Sequence, residues 1–229
     1  ARFRISIEVM TPQQPSQQES MDVIVALKKA EKMRRDFVAN VSHELRTPLT
    51  AIKGYTETLI QDIDDGRKIE PEFLKIILKN SNRLLSLIDD LLDLSSIESG
   101  ADQLHVADID LKEATEHVIE RLIPHAKAKN TFLTSDIRCE TVRADMKRVE
   151  QVMANLAENA IKYSPPNSTV KIIWEDDGSE IALTVEDNGP GIPSKNLDRL
   201  FERFYRLDKG RSREMGGKGL GLSIVTHIM

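Results

Sequence analysis

The hydrophobic positions of the first hundred residues predict two long amphipathic helices. From Lys28 to about Asp64, apolar side chains recur at the 3.6-residue period of an α-helix. The polar stretch Asp64 to Pro71 contains a glycine and interrupts this pattern. A second helix is predicted from Glu72 to about Glu98, where the apolar stripe has the alternating spacing of three and four that is typical of a heptad seam. The stripe of the first helix comprises Phe37, Val41, Leu45, Leu49, Ile52, Leu59 and Ile63.

Two helices joined by a short loop predict a helical hairpin over residues 28–98. Their apolar faces exceed what one hairpin can bury. Pairing two hairpins into an antiparallel four-helix bundle would cover the remaining apolar surface, so we expect a homodimer. A purely structural coiled coil is the alternative.

The first 27 residues have a different pattern. Arg2 to Val9 alternate strictly between polar and apolar side chains, which predicts a half-buried strand. A polar loop follows from Thr11 to Ser20, and Val23 to Leu27 is a candidate partner strand. Two strands alone are only marginally stable in water, so we expect the tail of a truncated sensory domain, similar to the end of a PAS domain. The alternative is a linker followed by a helix that begins at Met21.

After a predicted linker from Ser99 to Asp110, helix and strand patterns follow each other. Two strands, Val170 to Glu175 and Glu180 to Glu186, flank a short polar turn and predict a β-hairpin. Residues 111–229 are therefore predicted to form an α/β domain. Its other predicted elements are a helix over Leu111–Lys129, a strand over Thr131–Ile137, a helix over Lys147–Tyr163 and a helix over Leu220–Met229.

Composition narrows the class of protein. Of the 229 residues, 40% are hydrophobic and 30% are charged, which is typical of a globular protein. The net charge of −5 argues against a surface that binds nucleic acid. The single cysteine, Cys139, cannot form an intrachain disulfide, which fits a reducing compartment. No apolar run approaches the roughly 18 residues of a membrane span, so we expect a soluble chain.

The first candidate for chemistry is His43. It lies about 200° around the helix from the apolar stripe, so we expect its imidazole to face solvent. Glu44 is its neighbour in the chain, and Arg46 and Thr47 share its face. Pro48 removes the amide that would bond the carbonyl of Glu44, which predicts a bend one turn beyond the histidine.

The segment Ser42 to Pro48, S-H-E-L-R-T-P, resembles the phospho-acceptor box of sensor histidine kinases. Within that family the chain most resembles the phosphate-responsive, PhoR-like group. The family is usually anchored in the membrane. The resemblance therefore implies that these residues are the cytoplasmic part of a longer protein, attached to a membrane only through segments absent from this chain.

A second group of polar residues lies on the predicted helix Lys147 to Tyr163. Asn155, Asn159, Lys162 and Tyr163 are three and four residues apart and cluster on one side of the helix. Two amides, an ammonium and a phenol suit a phosphate ligand with bound Mg²⁺, because Mg²⁺ prefers oxygen ligands and an ammonium attracts phosphate. Two solvated asparagines are the alternative.

Glycines mark two further candidate segments. D-N-G-P-G-I-P, from Asp187 to Pro193, follows a predicted strand and places an acid next to glycines that allow the backbone to approach a flat ligand. A tight turn is the alternative. Backbone amides ahead of the final helix can cradle phosphate. The glycines of that second segment are Gly216, Gly217, Gly219 and Gly221.

Four segments in this order resemble the N, first G, F and second G boxes of histidine-kinase ATP domains: N-L-A-E-N-A-I-K-Y, D-N-G-P-G, L-F-E-R-F-Y-R and G-K-G-L-G-L-S-I. With the phospho-acceptor box, the resemblance covers the chain from about Lys28 onward. It implies an α/β sandwich of the gyrase, heat-shock-90, histidine kinase and MutL type, which binds ATP and Mg²⁺. In that family two further strands follow the helix after Gly221, whereas this chain stops at Met229, so we expect an incomplete sheet edge.

The same resemblance implies roles for single residues. Asn159 matches the asparagine that binds Mg²⁺, with Asn155 beside it. Asp187 matches the acid that accepts a hydrogen bond from the adenine amino group. A lid arginine near the γ-phosphate is expected, and the lid residues are Phe201, Arg203 and Arg206. The other matched nucleotide contacts are Lys162, Tyr163, Gly189, Gly191, Gly217, Gly219, Leu220 and Gly221.

These features predict an ATP-dependent protein-histidine kinase. Glu44 can hold the proton of one ring nitrogen of His43 and leave the other nitrogen free to attack the γ-phosphate. The resemblance implies that the phosphoryl group then passes to an aspartate of a response regulator. Thr47 is similar to the threonine that orients water when such kinases dephosphorylate that partner.

Two rival functions remain at this stage. An ATP-hydrolysing machine of the gyrase or MutL type carries a glutamate four residues before the metal-binding asparagine, where this chain has Asn155. A non-enzymatic dimeric scaffold would leave the nucleotide-type boxes and the His-Glu pair unexplained.

Of the other charged residues, Asp89, Asp90 and Asp93 are predicted to be solvated.

Overall fold

The computed structural model describes residues 17–100, 103–176, 178, 180–207 and 217–229. Within the first helix the side chains of residues 17–20, 22, 23, 26, 29 and 30 are not described. The chain divides into two compact units, residues 1–43 and residues 44–229, with the boundary inside the first helix. The predicted strand Arg2 to Val9 lies outside the described residues.

Helix α1 spans Gln17–Asp64 and is 48 residues long. It ends where the sequence predicts and continues through Pro48 without a break. The prediction of a strand at Val23 to Leu27 is wrong, because these residues belong to α1. A short apolar run cannot be assigned by periodicity alone, and the strong helix formers that follow it extend the helix cooperatively.

Helix α2 spans Pro71–Ser99, within one residue of the predicted bounds. Proline suits its first position because the amide it lacks would have no partner there. Gly100 ends it in the left-handed conformation, with φ of 61°. Leu87 and Leu94 are buried. The exposed apolar residues of α2 include Leu74, Leu78, Leu85, Ile88 and Leu92.

Two contacts define the hairpin of α1 and α2. The rings of Tyr55 and Phe73 have centroids 5.3 Å apart, and Arg83 donates to the carboxylate of Glu44. Position 55 meets 73 while position 44 meets 83, so the two helices run antiparallel. The predicted helical hairpin is confirmed.

The α/β part of the chain contains two sheets. The elements in order are β1 (Val106–Asp110), α3 (Leu111–Ala128), β2 (Phe132–Ile137), β3 (Thr141–Asp145), α4 (Met146–Tyr163), β4 (Thr169–Asp176), β5 (Ile181–Glu186), a 3₁₀ helix (Ser194–Arg199) and α5 (Gly221–Ile228). Strand β2 is parallel to β4, and β4 is antiparallel to β5, in the order β2-β4-β5. Strands β1 and β3 form a separate antiparallel pair.

The core lies between helices α3 and α4 and the larger sheet. Alternate residues of β4 enter it, which is the two-residue period of a strand with one buried face. Two of its buried polar side chains are paired: the indole of Trp174 donates to the hydroxyl of Thr115 at 3.1 Å, and that hydroxyl donates to the carbonyl of Leu111 at 2.6 Å. The fully buried members include Leu111, Val118, Leu122, Met153, Val170 and Ile172.

The smaller sheet differs from the sequence prediction. Strand β1 lies inside the predicted linker Ser99 to Asp110, and β3 was not predicted. Both strands are five residues long and pair with each other. Each ends at an aspartate that caps the following helix, Asp110 for α3 and Asp145 for α4.

In the part of the chain that the structure describes, no helix has the length and apolar character needed to cross a membrane.

Candidate functional site

The segment S-H-E-L-R-T-P lies within α1. His43 and Thr47 are exposed there, as the helical pattern predicts. Pro48 is buried on the opposite side. The hydroxyl of Ser42 donates to the carbonyl of Val38 at 2.8 Å, so it is engaged with its own helix.

Glu44 lies next to His43 in the chain but is buried, with 7% of the residue exposed. One of its carboxylate oxygens accepts from two guanidinium groups, that of Arg83 at 3.3 Å and that of Arg206 at 2.8 Å. A buried carboxylate is stable only when it is paired and hydrogen-bonded. Sequence reasoning missed this pairing, because no local signal relates residue 44 to residues 83 and 206.

Helix α4 presents the predicted nucleotide face at its carboxyl end. The amide nitrogen of Asn155 donates to the carbonyl of Gln151 at 2.9 Å, which fixes the side chain along its own helix. Its Oδ1 atom faces Gly221, where an added Cβ would lie 2.8 Å from that oxygen. Asn159 follows one turn later and is half-buried. The structure thus brings together two of the predicted boxes, with α4 against the start of α5.

Lys162 lies among other positive charges. The pKa of its amine is lowered to about 8, first by burial and then by the positive charges of Arg206, Arg83 and Lys218, while Glu158 raises it. Its ammonium also lies 5.1 Å from the ring centroid of Tyr163. We call Arg83, Lys162, Arg206 and Lys218 the cation cluster. A cluster of this kind attracts a multiply charged anion.

The end of α4 is held by a lysine that sequence reasoning did not single out. The ammonium of Lys129 donates to the carbonyl of Ile161 at 2.8 Å and also to the carbonyl of Lys162. These carbonyls are among the last of the helix and have no partner within it. Lys129 therefore stabilises the helix end from which Lys162 and Tyr163 project.

Asp187 follows β5 directly. The amide of Gly189 donates to one of its carboxylate oxygens at 2.5 Å, and the amide of Thr169 donates to the side chain of Asn188 at 3.1 Å. Gly191 has φ of 71°, a conformation that L side chains rarely adopt. An open cleft of about 420 Å³ is lined here by Thr169, Lys171, Glu186, Asp187 and Asn188.

The glycine-rich segment before α5 is hydrogen-bonded to Phe204 and Arg206. The amide of Phe204 donates to the carbonyl of Gly219 at 2.7 Å, and Arg206 donates to the carbonyl of Lys218 at 3.1 Å. A Cβ at Gly219 would lie 2.8 Å from the carbonyl carbon of Phe204, so no side chain fits there. Gly217 is buried. Leu220 is fully buried, so its backbone is the part left for a ligand.

The two lid arginines have different surroundings. Arg203 pairs with Glu98, which also lies 3.3 Å from the imidazole of His227. Arg206 belongs to the cation cluster with 4% of its side chain exposed, and among the described residues its buried Nε atom has no hydrogen-bond partner. An unpaired buried donor beside Lys162 fits a phosphate oxygen.

Two predictions about acidic residues need correction. Asp90 is half-buried and pairs with the ammonium of Lys218 at 2.5 Å, and Asp93 accepts from the side chain of Gln151 at 3.0 Å. Burial raises the pKa of Asp90, and Lys218 opposes this effect. These residues were predicted to be solvated because the helical period alone gives no information about a neighbouring domain. Asp89 is exposed as predicted.

The described residues hold no group of three or more His, Cys, Asp and Glu side chains placed to bind a metal ion. A metal ion held by Asn159 together with a polyphosphate would take further oxygen ligands from the phosphates. The donor set fits this arrangement, because an amide oxygen, the cation cluster and the glycine backbone favour a metal-bound polyphosphate over a metal ion alone.

Comparison with known proteins agrees with this geometry. The family model of the His Kinase A (phospho-acceptor) domain matches residues 33–100, and the model described as histidine kinase-, DNA gyrase B- and HSP90-like ATPase matches residues 144–229. The sensor protein kinase WalK of Staphylococcus aureus is 38% identical over 205 residues, which cover 88% of this chain and 49% of that protein. The chain thus spans about half the length of this relative.

Two solved structures resemble this chain. The histidine kinase AdeS of Acinetobacter baumannii is 32% identical, with a TM-score of 0.65, over 81% of this chain and 85% of that one. The histidine kinase ThkA, solved in complex with the response regulator protein TrrA, is 26% identical, with a TM-score of 0.61, over 79% of this chain and 55% of that one. The predicted PhoR-like subgroup is not confirmed, since the curated relative described above is WalK.

The pKa of Lys162 predicts how ATP affinity depends on pH. Its folded-state pKa of about 8 means that the amine is charged at neutral pH and loses its charge as the pH rises through that value. Phosphate binding favours the charged form. We therefore expect ATP affinity, measured by calorimetry, to fall above pH 8 by up to about tenfold per pH unit, with proton uptake on binding.

The control for this prediction is Lys162→Met, which has no amine to titrate. It should bind ATP more weakly than the native protein at neutral pH and show a flat profile between pH 7.5 and 9.5. The same pH dependence in both proteins would assign the titration to another group.

Proposed function

Because the chain belongs to the sensor histidine kinases of two-component systems, we propose that it transfers the γ-phosphoryl group of ATP to His43 and then to an aspartate of a response regulator. One observation carries this proposal. An exposed histidine with a neighbouring carboxylate occurs in the same chain as an ATP-type domain whose asparagines, cation cluster and glycines suit a polyphosphate.

The reaction requires one nitrogen of the His43 ring to have a free lone pair. That nitrogen attacks the γ-phosphorus, the nitrogen–phosphorus bond forms, and the bond to the bridging oxygen breaks, so ADP leaves with that electron pair. Glu44 accepts the proton of the other ring nitrogen, which prevents positive charge from remaining on the phosphorylated ring. Glu44 is suited to this role because it is next to His43 and holds a charge that its surroundings balance.

We assign the nucleotide to the surface between the end of α4, the start of α5 and Asp187. Lys162 and Arg206 would balance the charge of the phosphates, and the backbone at Gly217, Gly219 and Gly221 would lie against them. Asp187 would accept from the adenine amino group. Tyr163, Gly189 and Gly191 would line the base and sugar. The further nucleotide contacts that we propose on the same grounds are Asn155, Arg203 and the backbone of Leu220.

Asn159 is proposed as the protein ligand of a Mg²⁺ ion bound with the nucleotide. The ion would neutralise negative charge on the phosphates. The half-buried amide of Asn159 lies one turn beyond Asn155, on the helix that also carries Lys162. An amide oxygen from this helix can therefore reach the ion while the helix end supplies positive charge.

The rival ATPase function is not favoured by the surroundings of Asn155. Its amide nitrogen is engaged with Gln151 and its oxygen faces Gly221. An amide cannot accept a proton from water in the way a glutamate does. Transfer to His43 therefore has better chemical support than hydrolysis.

We further propose that two hairpins pair into a four-helix bundle. Exposed apolar residues on α1 and α2 need cover, and a second copy of the hairpin offers a complementary apolar face. The exposed set includes Leu49, Ile60, Ile63, Leu74, Leu78, Leu85 and Leu92.

A response regulator is the proposed partner for His43 and Thr47, supported by the complex of ThkA with TrrA. A cytoplasmic position beneath a membrane anchor is proposed from the family alone, and residues 1–27 are proposed as a sensory-domain tail or linker.

His43→Gln tests the central assignment. We expect phosphorylation from γ-labelled ATP, read as acid-labile and base-stable label, to fall to background. ATP affinity should stay within about twofold of the native value, since sites with no shared partner act independently. Acid-labile label on the His43→Gln protein would contradict the assignment of the phospho-acceptor.

Asn159→Ala tests the metal site. We expect ATP affinity in Mg²⁺ to fall by about tenfold or more, equivalent to about 1.4 kcal/mol, and affinity in a chelator to change little. Asn80→Ala is the matched control, because it removes an amide that donates to a carbonyl of its own helix. An equal loss with and without Mg²⁺ would remove Asn159 from the metal site.

Thr47→Ala tests dephosphorylation of the partner. A hydroxyl can orient water towards an aspartyl phosphate and is not needed for attack on ATP. We expect more than about half of the autophosphorylation rate to remain and dephosphorylation of the phosphorylated regulator, with ADP present, to slow by about tenfold or more. The control is Thr50→Ala, an exposed threonine on the same helix. Parallel loss of both activities would indicate a disturbed helix at Pro48 instead.

A further inference from the structure

The two guanidinium groups that contact Glu44 come from different parts of the chain. Arg206 belongs to the α/β part, between β5 and α5, whereas Arg83 belongs to α2 of the hairpin. Both donate to the same carboxylate oxygen, at 2.8 Å and 3.3 Å. The carboxylate is therefore bound from the nucleotide side and from its own hairpin.

Arg206 has a second possible anion. Its Nε atom is buried without a hydrogen-bond partner among the described residues, and its charge lies close enough to Lys162 to lower the pKa of that amine. A phosphate bound at the cation cluster would attract Arg206, because a phosphate with two negative charges attracts a guanidinium group more strongly than a carboxylate with one. Arg83 would then still contact Glu44.

The position of Arg83 is fixed by the hairpin. Tyr55 and Phe73 are in ring contact nearer the hairpin loop, and Leu87 is buried one turn after Arg83. Arg83 itself is largely covered, with 23% of its side chain exposed. The Arg83–Glu44 pair needs only α1 and α2 to be in register.

We propose that Arg83 is a positioning residue, which holds the Glu44 carboxylate balanced in charge and oriented for the proton of His43. This inference rests on the proposed role of Glu44 as the base. A donated hydrogen bond restricts rotation of the carboxylate about its last torsion, which is otherwise broad. The planar guanidinium suits this task because it presents several donors in a fixed geometry on a side chain that is always charged.

The alternative is that the pair only stabilises the hairpin. Removing one partner of a buried ion pair destabilises the fold, so a purely structural role predicts a lower melting temperature without a loss of phosphoryl-transfer rate that depends on Glu44. A positioning role predicts a loss in the rate of phosphoryl transfer that depends on the presence of Glu44. The two roles therefore differ in a measurable way.

The experiment is a double-mutant cycle on the native chain, with Arg83→Ala, Glu44→Gln and the double variant. The rate of His43 phosphorylation at saturating ATP and Mg²⁺ and the KM for ATP are measured for each protein. We expect Arg83→Ala to lower the rate at saturating ATP, where a weaker nucleotide affinity does not limit the reaction, by about tenfold or more. In the Glu44→Gln background the same change should have no further effect on the rate. Lys75→Ala is the matched control, because Lys75 is an exposed cation of α2 that also pairs with a carboxylate, Glu72 at 3.2 Å.

Each outcome separates this inference from the proposed function. A full loss from Arg83→Ala in both backgrounds, or a change in KM alone, overturns the positioning role. If Glu44→Gln itself leaves the rate unchanged, the base assignment fails and the inference fails with it. If Arg83→Ala does not fold, as judged by circular dichroism, Arg83→Lys replaces it. Arg83→Lys should have the melting temperature of the native protein but only part of its rate. Native rates in both Arg83→Lys and Arg83→Gln would contradict the proposal.

Discussion

A carboxylate that is removed from water needs opposite charge close by, and Glu44 meets this need with guanidinium groups from two parts of the chain. Arg83 comes from the neighbouring helix of the hairpin. Arg206 comes from the segment next to the glycine-rich loop, where it also donates to the carbonyl of Lys218. The contact between the hairpin and the residues around Arg206 thus depends on the charge balance at Glu44.

The same charges limit what can bind. The cation cluster places four positive groups around the end of α4, and burial together with the neighbouring charges lowers the pKa of Lys162. Glu44 and Asp90 balance part of this charge. A polyphosphate would bring more negative charge than either carboxylate, so under the proposed function it would compete with Glu44 for Arg206. Nucleotide binding and the surroundings of the proposed base would therefore be physically linked.

Sequence reasoning succeeded where the information is local. Periodicity located α1 and α2, and the polar turn between two alternating runs located β4 and β5. The resemblance of the boxes implied that Asn155 and Gly221 lie near each other, and they are adjacent in the structure. These features depend on residues within a few positions of each other or on motifs with a fixed order.

It failed where the information is long-range. Strands β1 and β3 are short and stabilise each other across 30 residues of chain, so neither has a strong pattern of its own. The pairs Glu44–Arg83 and Asp90–Lys218 depend on how separate elements meet. The exposure of a helical face can be read from its period, but the identity of its partner cannot.

The close contact of Gly219 with Phe204 has a consequence for how this fold can vary. Phe204 and Gly219 are joined by a backbone hydrogen bond at a point where no side chain fits. A larger residue at position 219 would have to displace the backbone of Phe204 and with it Arg206, two residues further along the chain. The charge balance at Glu44 therefore depends on the absence of one side chain in the glycine-rich segment.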